Sequence, residues 1–340
     1  MAVIVEDAML KVSDTSYTIK QVTMDTLMGY WHQTEYPLHW NCLFVLPAWL
    51  KIWLRHFGNG AEPYVLSIRH QDRPIGIAPL RRQDKTVRLM GEGRVCDYLD
   101  FVIAPEKAAE FYRLLLDHLK REGISRLKLA PLRPDSSVFG YLLPVAEKMG
   151  CKIEYESIDV SFELALPTSW DNYLDLLSTK ERHEIRRKFR RLYQAGDINY
   201  RAVDEISAVR SEMQTFLTLF RSNRREKAEF MNDQMDSFFK DLAADLAKDW
   251  ILKLFFLEIG GKPIASVMCF DYQSTRYLYN NGYDQRYRSL SAGLLCKVLS
   301  IKESIQSGKK TYDLLKGSEA YKHRLGGKPV PLYRCDIVIQ

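Results

Sequence analysis

The sequence has 340 residues, more than one compact core usually holds, and its 46% hydrophobic and 27% charged residues are typical of a folded globular protein rather than a disordered one. The net charge of +6 is compatible with an anionic ligand but too small to require a nucleic acid. No apolar run is long enough to span a bilayer, and the first ten residues lack the pattern of a signal peptide, so we expect a cytoplasmic protein.

Short strands and amphipathic helices alternate along the front half, with helices rather than strands around the two tryptophans Trp49 and Trp53. Both tryptophans are expected in the core. The predicted elements of this half are strand 17–22, helices 24–33 and 47–57, a hairpin of strands 64–69 and 75–80, strands 87–90 and 99–103, a helix 105–121 and a strand 127–129.

The second half repeats that order of elements without repeating the sequence. The predicted elements are strand 159–166, helix 170–177, a basic helix from 180 to 193, strand 198–203, helices 204–220 and 233–248, a hairpin of strands 251–259 and 263–270, strand 276–280, helix 294–307, strand 311–315, helix 318–325 and strand 334–339. The order predicts an α/β (α+β) chain with two domains, residues 1–155 and 156–340, each a mixed sheet flanked by helices.

The six cysteines are scattered, with no CxxC spacing and no histidine pair beside them. Their apolar neighbours predict buried thiols in a reducing compartment rather than disulfides or a metal site. Cys296 has apolar neighbours, which argues against a covalent mechanism through this thiol. We therefore expect no metal.

The segment 276–295 is a strand, a polar loop and the start of a helix built from small residues. Exposed backbone N–H groups and the positive end of the helix dipole make such a junction an anion site, and Arg286 and Arg288 add charge beside it. The residues predicted to contact the anion are Arg288, Ser291, Ala292, Gly293 and Leu294. An ordinary helix start capped by Ser289 or Ser291 is the alternative.

Here the sequence resembles the GNAT acetyltransferases, which bind the coenzyme A pyrophosphate with an Arg/Gln-x-x-Gly-x-Gly/Ala loop. The match is Arg288-x-x-Ser291-x-Gly293, with serine in place of the first glycine. Further motifs, Tyr279-Asn-x-Gly-Tyr-Asp284 and Tyr312-Asp-Leu-Leu-Lys-Gly-x-Glu-x-Tyr-Lys322, resemble the GNAT branch associated with cellulose and exopolysaccharide biosynthesis. This resemblance covers roughly residues 20–335 and implies tandem GNAT folds, as in the Fem-type aminoacyltransferases.

The resemblance also implies roles for particular residues in a direct attack of an amine or hydroxyl on an acyl-coenzyme A thioester. Backbone groups of a bulged strand grip the pantetheine arm in this family, and Asn280, Asn281 and Gly282 match that position. Tyr321 matches the general acid, and Glu319 and Asp284 are candidates for the base. Each of these side chains has an ordinary structural alternative as a core, capping or salt-bridging residue.

The basic helix 180–193 buries Ile185, Phe189 and Leu192 and covers the rest of its surface with arginines. Ser178 and Glu181 predict a capping box at its start. Arg182, Arg186 and Arg190, four residues apart, are candidates for binding an anionic, sugar-containing or lipid-linked acceptor, together with Lys316 and Lys322. A solvated face is the alternative.

Three functions remain open at this stage. The first is an acyl-coenzyme A-dependent acyltransferase acting on a polysaccharide precursor or similar acceptor. The second is a Fem-type aminoacyltransferase that uses a charged tRNA and a cell-wall precursor. The third is a binding protein with a decayed GNAT core, since the first glycine of the loop is missing.

Overall fold

The computed structural model describes residues 10–11, 16–60, 62–91, 93–203, 205–223 and 225–339. The chain divides into two compact units, which we call unit 1 and unit 2. Unit 1 comprises residues 1–159 and 331–340, and unit 2 comprises residues 160–330. The division falls inside a strand, between Asp159 and Val160, and the last ten residues of the chain fold with unit 1.

Unit 1 contains a mixed sheet whose strands follow the order β1-β2-β3-β4-β5-β7-β14, with β6 paired to β4. All the pairs are antiparallel except β5 with β7, which is parallel. The strands are β1 (Leu10–Lys11), β2 (Tyr17–Gln21), β3 (Glu62–His70), β4 (Arg73–Gln83), β5 (Thr86–Leu89), β6 (Val102–Ile103), β7 (Arg126–Leu132) and β14 (Lys328–Val338).

The described residues of unit 1 contain the α-helices α1 (Met24–His32), α2 (Pro47–Phe57), α3 (Ala108–Arg121) and α4 (Leu143–Lys148). Thr23 caps α1 through its hydroxyl, and Pro47 begins α2, as its fixed φ favours. Trp49 and Trp53 are buried, which confirms their predicted place in the core.

Unit 2 contains a second mixed sheet in the order β8-β13-β12-β11-β10-β9, again antiparallel except for one parallel pair, β12 with β13. Its strands are β8 (Lys152–Ala165, which begins in unit 1), β9 (Ile198–Val203), β10 (Leu252–Ile259), β11 (Lys262–Tyr272), β12 (Thr275–Tyr283) and β13 (Thr311–Lys316).

The helices of unit 2 are α5 (Trp170–Leu176), α6 (Thr179–Tyr193), α7 (Ile206–Asn223), α8 (Arg225–Phe230), α9 (Asp233–Lys248), α10 (Ala292–Gln306) and α11 (Ala320–Arg324). The Ser178 hydroxyl caps α6 by accepting a hydrogen bond from the Glu181 N–H at 3.2 Å, as the sequence predicts. Ile185 and Leu192 are buried on the core side of α6. A core of buried residues joins α6 and α10 to β10, β11 and β13.

Mixed sheets flanked by helices confirm the predicted fold class. Several boundaries differ from the sequence-based prediction: the strand expected at 99–103 is only Val102–Ile103, and β8 begins seven residues before Asp159. The strand expected to end at Asn280 continues to Tyr283. The sequence predicted neither the π-helical turn Val138–Leu142, nor α4, which follows that turn, nor α8. Asp204, where one helix was expected to begin, lies outside the described residues.

Candidate active site

The strand β12 carries a bulge beside the residues expected to grip a ligand. Met268 on β11 pairs with Asn280, whereas the next residue, Cys269, pairs with Leu278, so Tyr279 is the extra residue. The bulge therefore lies one residue before the predicted Asn280–Gly282. The Asn281 carbonyl accepts a hydrogen bond from the Lys227 ammonium at 2.5 Å.

Gly282 lies directly under a helix. A Cβ atom added at this position would stand 2.4 Å from the backbone nitrogen of Phe220, in α7. Backbone of this kind cannot move aside as the end of a side chain can, so glycine is required here for the close approach of α7 to β12. The glycine thus has a packing reason of its own, besides any contact with a ligand.

The two parallel strands of unit 2 stay together for only a short distance. Within the described residues, β12 pairs with β13 over Thr275–Tyr277 and Thr311–Asp313, although both strands continue further. Immediately beyond, Leu315 has a φ of +61°, which is strained for a side chain with a Cβ. Its N–H donates to the buried Asp313 carboxylate at 2.7 Å.

The helix α10 begins after the 3₁₀ turn Gln285–Leu290, and Ser291 is its N-cap residue, in the left-handed region with φ +57°. Its side chain makes no capping bond to α10. The Ser291 carbonyl instead accepts from the Leu294 and Leu295 N–H groups, each at 3.0 Å. A Cβ on Gly293 would meet the Tyr283 ring at 2.7 Å, and Ala292 is buried, so the first turn packs closely on β12.

An arginine that sequence reasoning missed reaches this helix start. Arg191, in the last turn of α6, donates from Nη2 to the Ser291 hydroxyl oxygen at 3.4 Å. Its buried Nε has no hydrogen-bond partner among the described residues. An unpaired buried donor next to a helix N-terminus suits an anionic ligand, because the helix dipole and the guanidinium act with the same sign. The sequence predicts Arg286 and Arg288 beside this helix start, and it predicts Arg182, Arg186 and Arg190 on α6 only for the acceptor. Arg191 could have been found only from its spacing after Glu184 and Lys188 on the α10 side of the helix.

A cavity of about 500 Å³ opens between α6, the start of α10 and α11. Two of the residues that line it, Leu294 and Tyr321, are site residues predicted from the sequence. The remaining lining residues are Lys180, Glu181, His183, Glu184, Ile185, Arg187, Lys188, Arg324 and Leu325. Four of these are lysine or arginine and two are glutamate, so the lining is net basic.

Glu184, one of the two glutamates in the lining, is already paired with basic residues of α6. Arg187 donates to its two oxygens at 2.8 Å each, and Lys188 donates at 2.6 Å. The hydrogen bonds from Arg187, and then from Lys188, lower the pKa of Glu184 to about 2. The carboxylate therefore stays ionised and holds Arg187 and Lys188 in place at the cavity wall.

Tyr321 is the one predicted catalytic side chain that lines the cavity. Burial raises the pKa of its phenol, and the charge of Glu319 raises it further, so the hydroxyl stays protonated. The ammonium of Lys297, a buried residue of α10, lies 4.3 Å from the centre of the tyrosine ring. Lys297 was not singled out from the sequence, where it reads as an exposed helical lysine.

The two carboxylates expected as bases both have structural partners. Asp284 caps the 3₁₀ turn and binds the Arg286 guanidinium through both oxygens; the hydrogen bond from Arg286 lowers its pKa. Glu319 is exposed, is the N-cap residue of α11 and pairs with the Lys322 ammonium at 3.1 Å.

Lys322 is buried, unlike a typical substrate-binding lysine. Its ammonium donates to the carbonyl oxygens of Leu315 at 2.8 Å and Lys316 at 2.6 Å, in addition to the pair with Glu319. These contacts account for its three protons. The structure therefore places Lys322 as a clamp on the turn between β13 and α11, and Lys316 enters that clamp through its carbonyl.

The three candidate arginines of α6 fall into two kinds. Arg182 is bonded to Asp175 and partly buried, whereas Arg186 and Arg190 are exposed, one helical turn apart. Arg288 is exposed in the 3₁₀ turn before Ser291. The exposed residues are available to a ligand without breaking an existing ion pair.

Cysteine chemistry has no support in the geometry. Cys296 is completely buried, and burial raises the pKa of its thiol. All six cysteines are free and five are buried. In the part of the chain that the structure describes, no group of three or more histidine, cysteine or carboxylate residues could hold a metal ion, and no helix is long and apolar enough to cross a membrane.

Comparison with known proteins finds one family model that matches part of unit 2. A family model described as the acetyltransferase (GNAT) domain matches residues 179–323, which lie inside unit 2 and include α10, Tyr321 and all the residues that line the cavity except Arg324 and Leu325. No curated protein matches the chain by sequence.

Among solved structures, the fold is similar to that of FemX, with a TM-score of 0.63 and 13% identity over 93% of this chain and 96% of FemX. It is also similar to a conserved protein of unknown function from Bacteroides thetaiotaomicron, with a TM-score of 0.56 and 10% identity over 94% of this chain and 99% of that one. L-PGS from Bacillus licheniformis gives a TM-score of 0.52 and 9% identity over 84% and 90%. At these identities the similarity concerns the fold.

Proposed function

We propose that the protein is an acyltransferase that moves an acetyl or longer acyl group from acyl-coenzyme A to an amine or hydroxyl of an anionic or sugar-containing acceptor. The observation that carries the proposal is the basic cavity of about 500 Å³ that joins the first turn of α10 to Tyr321, inside the segment matched by the GNAT model. GNAT enzymes use acyl-coenzyme A, which supplies the acyl thioester.

The phosphates of the donor fit the start of α10. Ser291, Ala292, Gly293 and Leu294 present the N-terminal end of a helix, and Arg191 brings a guanidinium with an unpaired buried Nε to the same point. Exposed Arg288 adds a further cation. We propose that backbone groups of Asn280, Asn281 and Gly282, beside the bulge and the parting of β12 from β13, hold the pantetheine arm.

We assign the proton donor to Tyr321, because its phenol remains protonated and the residue lines the cavity. The hydroxyl gives its proton to the departing thiolate as the acceptor attacks the thioester carbon. Glu319 is the better candidate for the base, since it is close enough to act on the pKa of Tyr321, whereas the hydrogen bond from Arg286 lowers the pKa of Asp284 and makes it a weaker base. The buried Cys296 argues for direct attack rather than an acyl-enzyme.

We propose that unit 2 carries the donor site and that unit 1 serves as a scaffold that contributes to acceptor binding. The motifs shared with the exopolysaccharide-associated branch support a polysaccharide precursor as acceptor. Arg186 and Arg190, exposed on α6, are proposed to attract an anionic acceptor, and Arg182 to support them through Asp175.

Titration calorimetry with acetyl-coenzyme A tests the donor assignment. We expect one site per chain, and about tenfold weaker binding in Arg191→Gln, the loss of roughly one charge-assisted contact. Arg190→Gln, which removes a neighbouring exposed arginine from the same helix, is the matched control and should bind the donor normally. Equal donor affinity in wild type and Arg191→Gln would remove Arg191 from the site, and the absence of any donor binding would overturn the proposed function.

The second candidate is a Fem-type aminoacyltransferase with a charged tRNA as donor, favoured by the exposed Arg186 and Arg190 outside the cavity. In that case the wild type should bind tRNA with an affinity that falls steeply as salt rises, and Arg186→Gln/Arg190→Gln should flatten the slope. Binding of tRNA with no measurable binding of acetyl-coenzyme A would favour this candidate over the first.

A further inference from the structure

A second cavity of about 500 Å³ lies wholly within unit 1, on strands β5, β7, β8 and β14. We infer that this cleft binds a neutral, polyhydroxylated sugar ring, stacked on Tyr155. The inference deepens the proposed function, because it assigns the uncharged sugar part of the acceptor to this cleft, while an anionic group of the same acceptor is left to Arg186 and Arg190. It rests on that proposal for the reaction that follows binding.

The charges that line the cleft argue against a phosphate or another strong anion. Three basic side chains, Arg88, Lys128 and Arg334, face three carboxylates, Glu154, Glu156 and Asp336, so the lining carries no net charge. Arg334 pairs with Glu156 at 3.2 Å, and Lys128 with Asp336 at 3.6 Å. A phosphate would have to displace these carboxylates, whereas hydroxyl groups can bond to both kinds of partner at once.

Tyr155 supplies an aromatic surface in this polar cleft. The residue is 59% exposed, unusually high for a large aromatic side chain in a strand. Its ring contacts Phe139 with centres 5.7 Å apart and Tyr333 at 6.3 Å, both nearly at right angles, and Phe139 and Tyr333 contact each other at 5.2 Å. This three-ring cluster fixes the tyrosine and leaves much of its surface open. The apolar face of a sugar ring can cover such a surface while its hydroxyls reach the charged rim.

Asp336 indicates that the expected ligand brings hydrogen-bond donors. Its Oδ2 lies 3.6 Å from Lys128 and 3.7 Å from Arg126, but its Oδ1 is buried with no hydrogen-bond partner among the described residues. A buried carboxylate oxygen without a donor is uncommon. A hydroxyl in the cleft would satisfy it.

The test uses the full chain, without any acyl donor, and neutral disaccharides as probes: cellobiose and N,N′-diacetylchitobiose, with glucose 6-phosphate as the anionic comparison. Binding is measured by ligand-observed NMR and calorimetry. We expect at least one neutral disaccharide to bind in the millimolar range or tighter, and Tyr155→Ala to weaken it about tenfold. Tyr155→Phe, which keeps the ring, should retain most of the affinity.

Tyr193→Ala is the matched control, because Tyr193 is also 59% exposed but lies on α6 and outside the cleft; it should leave sugar binding unchanged. The inference is overturned if no neutral disaccharide binds, if Tyr155→Ala binds as well as wild type, or if only the phosphorylated sugar binds. Since no donor is present, these outcomes are independent of acetyl-coenzyme A binding, and either the cleft or the proposed acyltransferase function can fail alone.

Discussion

Each of the two units contains a short parallel pair of strands, but the chain that follows this pair differs between the units. In unit 1, β5 pairs with β7 over residues 86–88 and 126–128, and β5 then ends at Leu89. In unit 2, β12 pairs with β13 over an equally short stretch and then continues to Tyr283.

Unit 1 fills the space beyond its parallel pair with its own chain. The Leu99 N–H donates to the Pro131 carbonyl at 2.8 Å, and the Asp100 carboxylate accepts from the Ser137 N–H at 2.9 Å. The next helix, α3, has Glu110 in its first turn, and Glu106 lies in the 3₁₀ turn Pro105–Lys107 that precedes it; both carboxylates would repel a phosphate. Unit 2 has no acidic residue in the first turn of α10 and brings Arg191 to it instead. We therefore propose that this arrangement is a scaffold in unit 1, where the chain fills the space, and a ligand site in unit 2, where basic side chains surround it.

Gly282→Ala is the strongest test of this difference, because it acts where α7 covers β12. The added Cβ would lie 2.4 Å from the Phe220 backbone nitrogen, so the helix must shift, and we expect a loss of about 3 kcal/mol in the stability of unit 2. Denaturant unfolding followed by hydrogen exchange in β12 measures it. Gly29→Ala is the control: a Cβ there meets nothing within 4 Å, and the change should stabilise α1 by about 0.5–1 kcal/mol. A Gly282→Ala variant as stable as wild type would mean that α7 does not lie against the strand.

The closed end of unit 1 predicts a pH dependence of stability. Burial raises the pKa of Asp100 to about 6, above the unfolded value of about 3.9, although hydrogen bonds from Ser137 and Phe101 lower it. The folded state therefore binds this proton more tightly. The stabilising contribution is complete below the unfolded pKa and is lost as the pH rises through 6.

Unit 1 should accordingly be less stable at pH 7 than at pH 5, with Asp100 responsible for about 1–2 kcal/mol of the difference. Thermal unfolding of wild type and Asp100→Asn at the two pH values checks this, and the variant should show the smaller change. Asp117→Asn, on the exposed side of α3, should keep the wild-type difference. Equal pH dependence in wild type and Asp100→Asn would show that the carboxyl group titrates normally.

Ser291→Gly tests the helix start of unit 2 with a smaller effect. Ser291 has a φ of +57°, where a residue with a Cβ is strained by about 1–2 kcal/mol, and glycine relieves that strain but adds unfolded-state entropy of about 0.5–1 kcal/mol. We expect a net gain of up to about 1 kcal/mol in stability. Donor affinity should stay the same or rise, since GNAT acetyltransferases have glycine at the corresponding position of their pyrophosphate-binding loop. A destabilised variant would show that the hydroxyl contact with Arg191 outweighs the strain.

The sequence predicted most elements of both units because the helices carry clear apolar stripes and caps, as α6 does with Ser178 and Ile185. The sequence did not predict α4 because Gly140 and Pro144 break the helical pattern. In the structure, a π-helical turn at Val138–Leu142 precedes this helix. The early start of β8 was hidden because Glu154, Tyr155 and Glu156 are all exposed and show no alternation of burial.

The candidate site was predictable where it depends on local sequence, as with the helix start after Ser291 and with Tyr321. Contacts between distant parts of the chain were not predictable. Arg191 contacts Ser291, which is 100 residues away in the sequence. The ammonium of Lys322 donates hydrogen bonds to backbone carbonyls, and the spacing of residues in the sequence does not predict such bonds. The arginine candidates on α6 stay predictions, because their value depends on an acceptor that has yet to be measured.

The smallest expected effect concerns those arginines. Arg186 and Arg190 are exposed one turn apart, so we expect them to act on an anionic acceptor through charge in high dielectric, where each contributes little and salt screens the effect. Arg186→Gln/Arg190→Gln should therefore raise the KM for acceptor only about threefold at low salt, and less at high salt. Adding Arg182→Gln should change the KM little further, because Arg182 already pairs with Asp175.

Donor affinity should stay at the wild-type value in both variants, since Arg191 is intact. A fall in donor affinity would place this face of α6 at the phosphates instead, and normal acceptor kinetics in the triple variant would reduce it to a solvated surface.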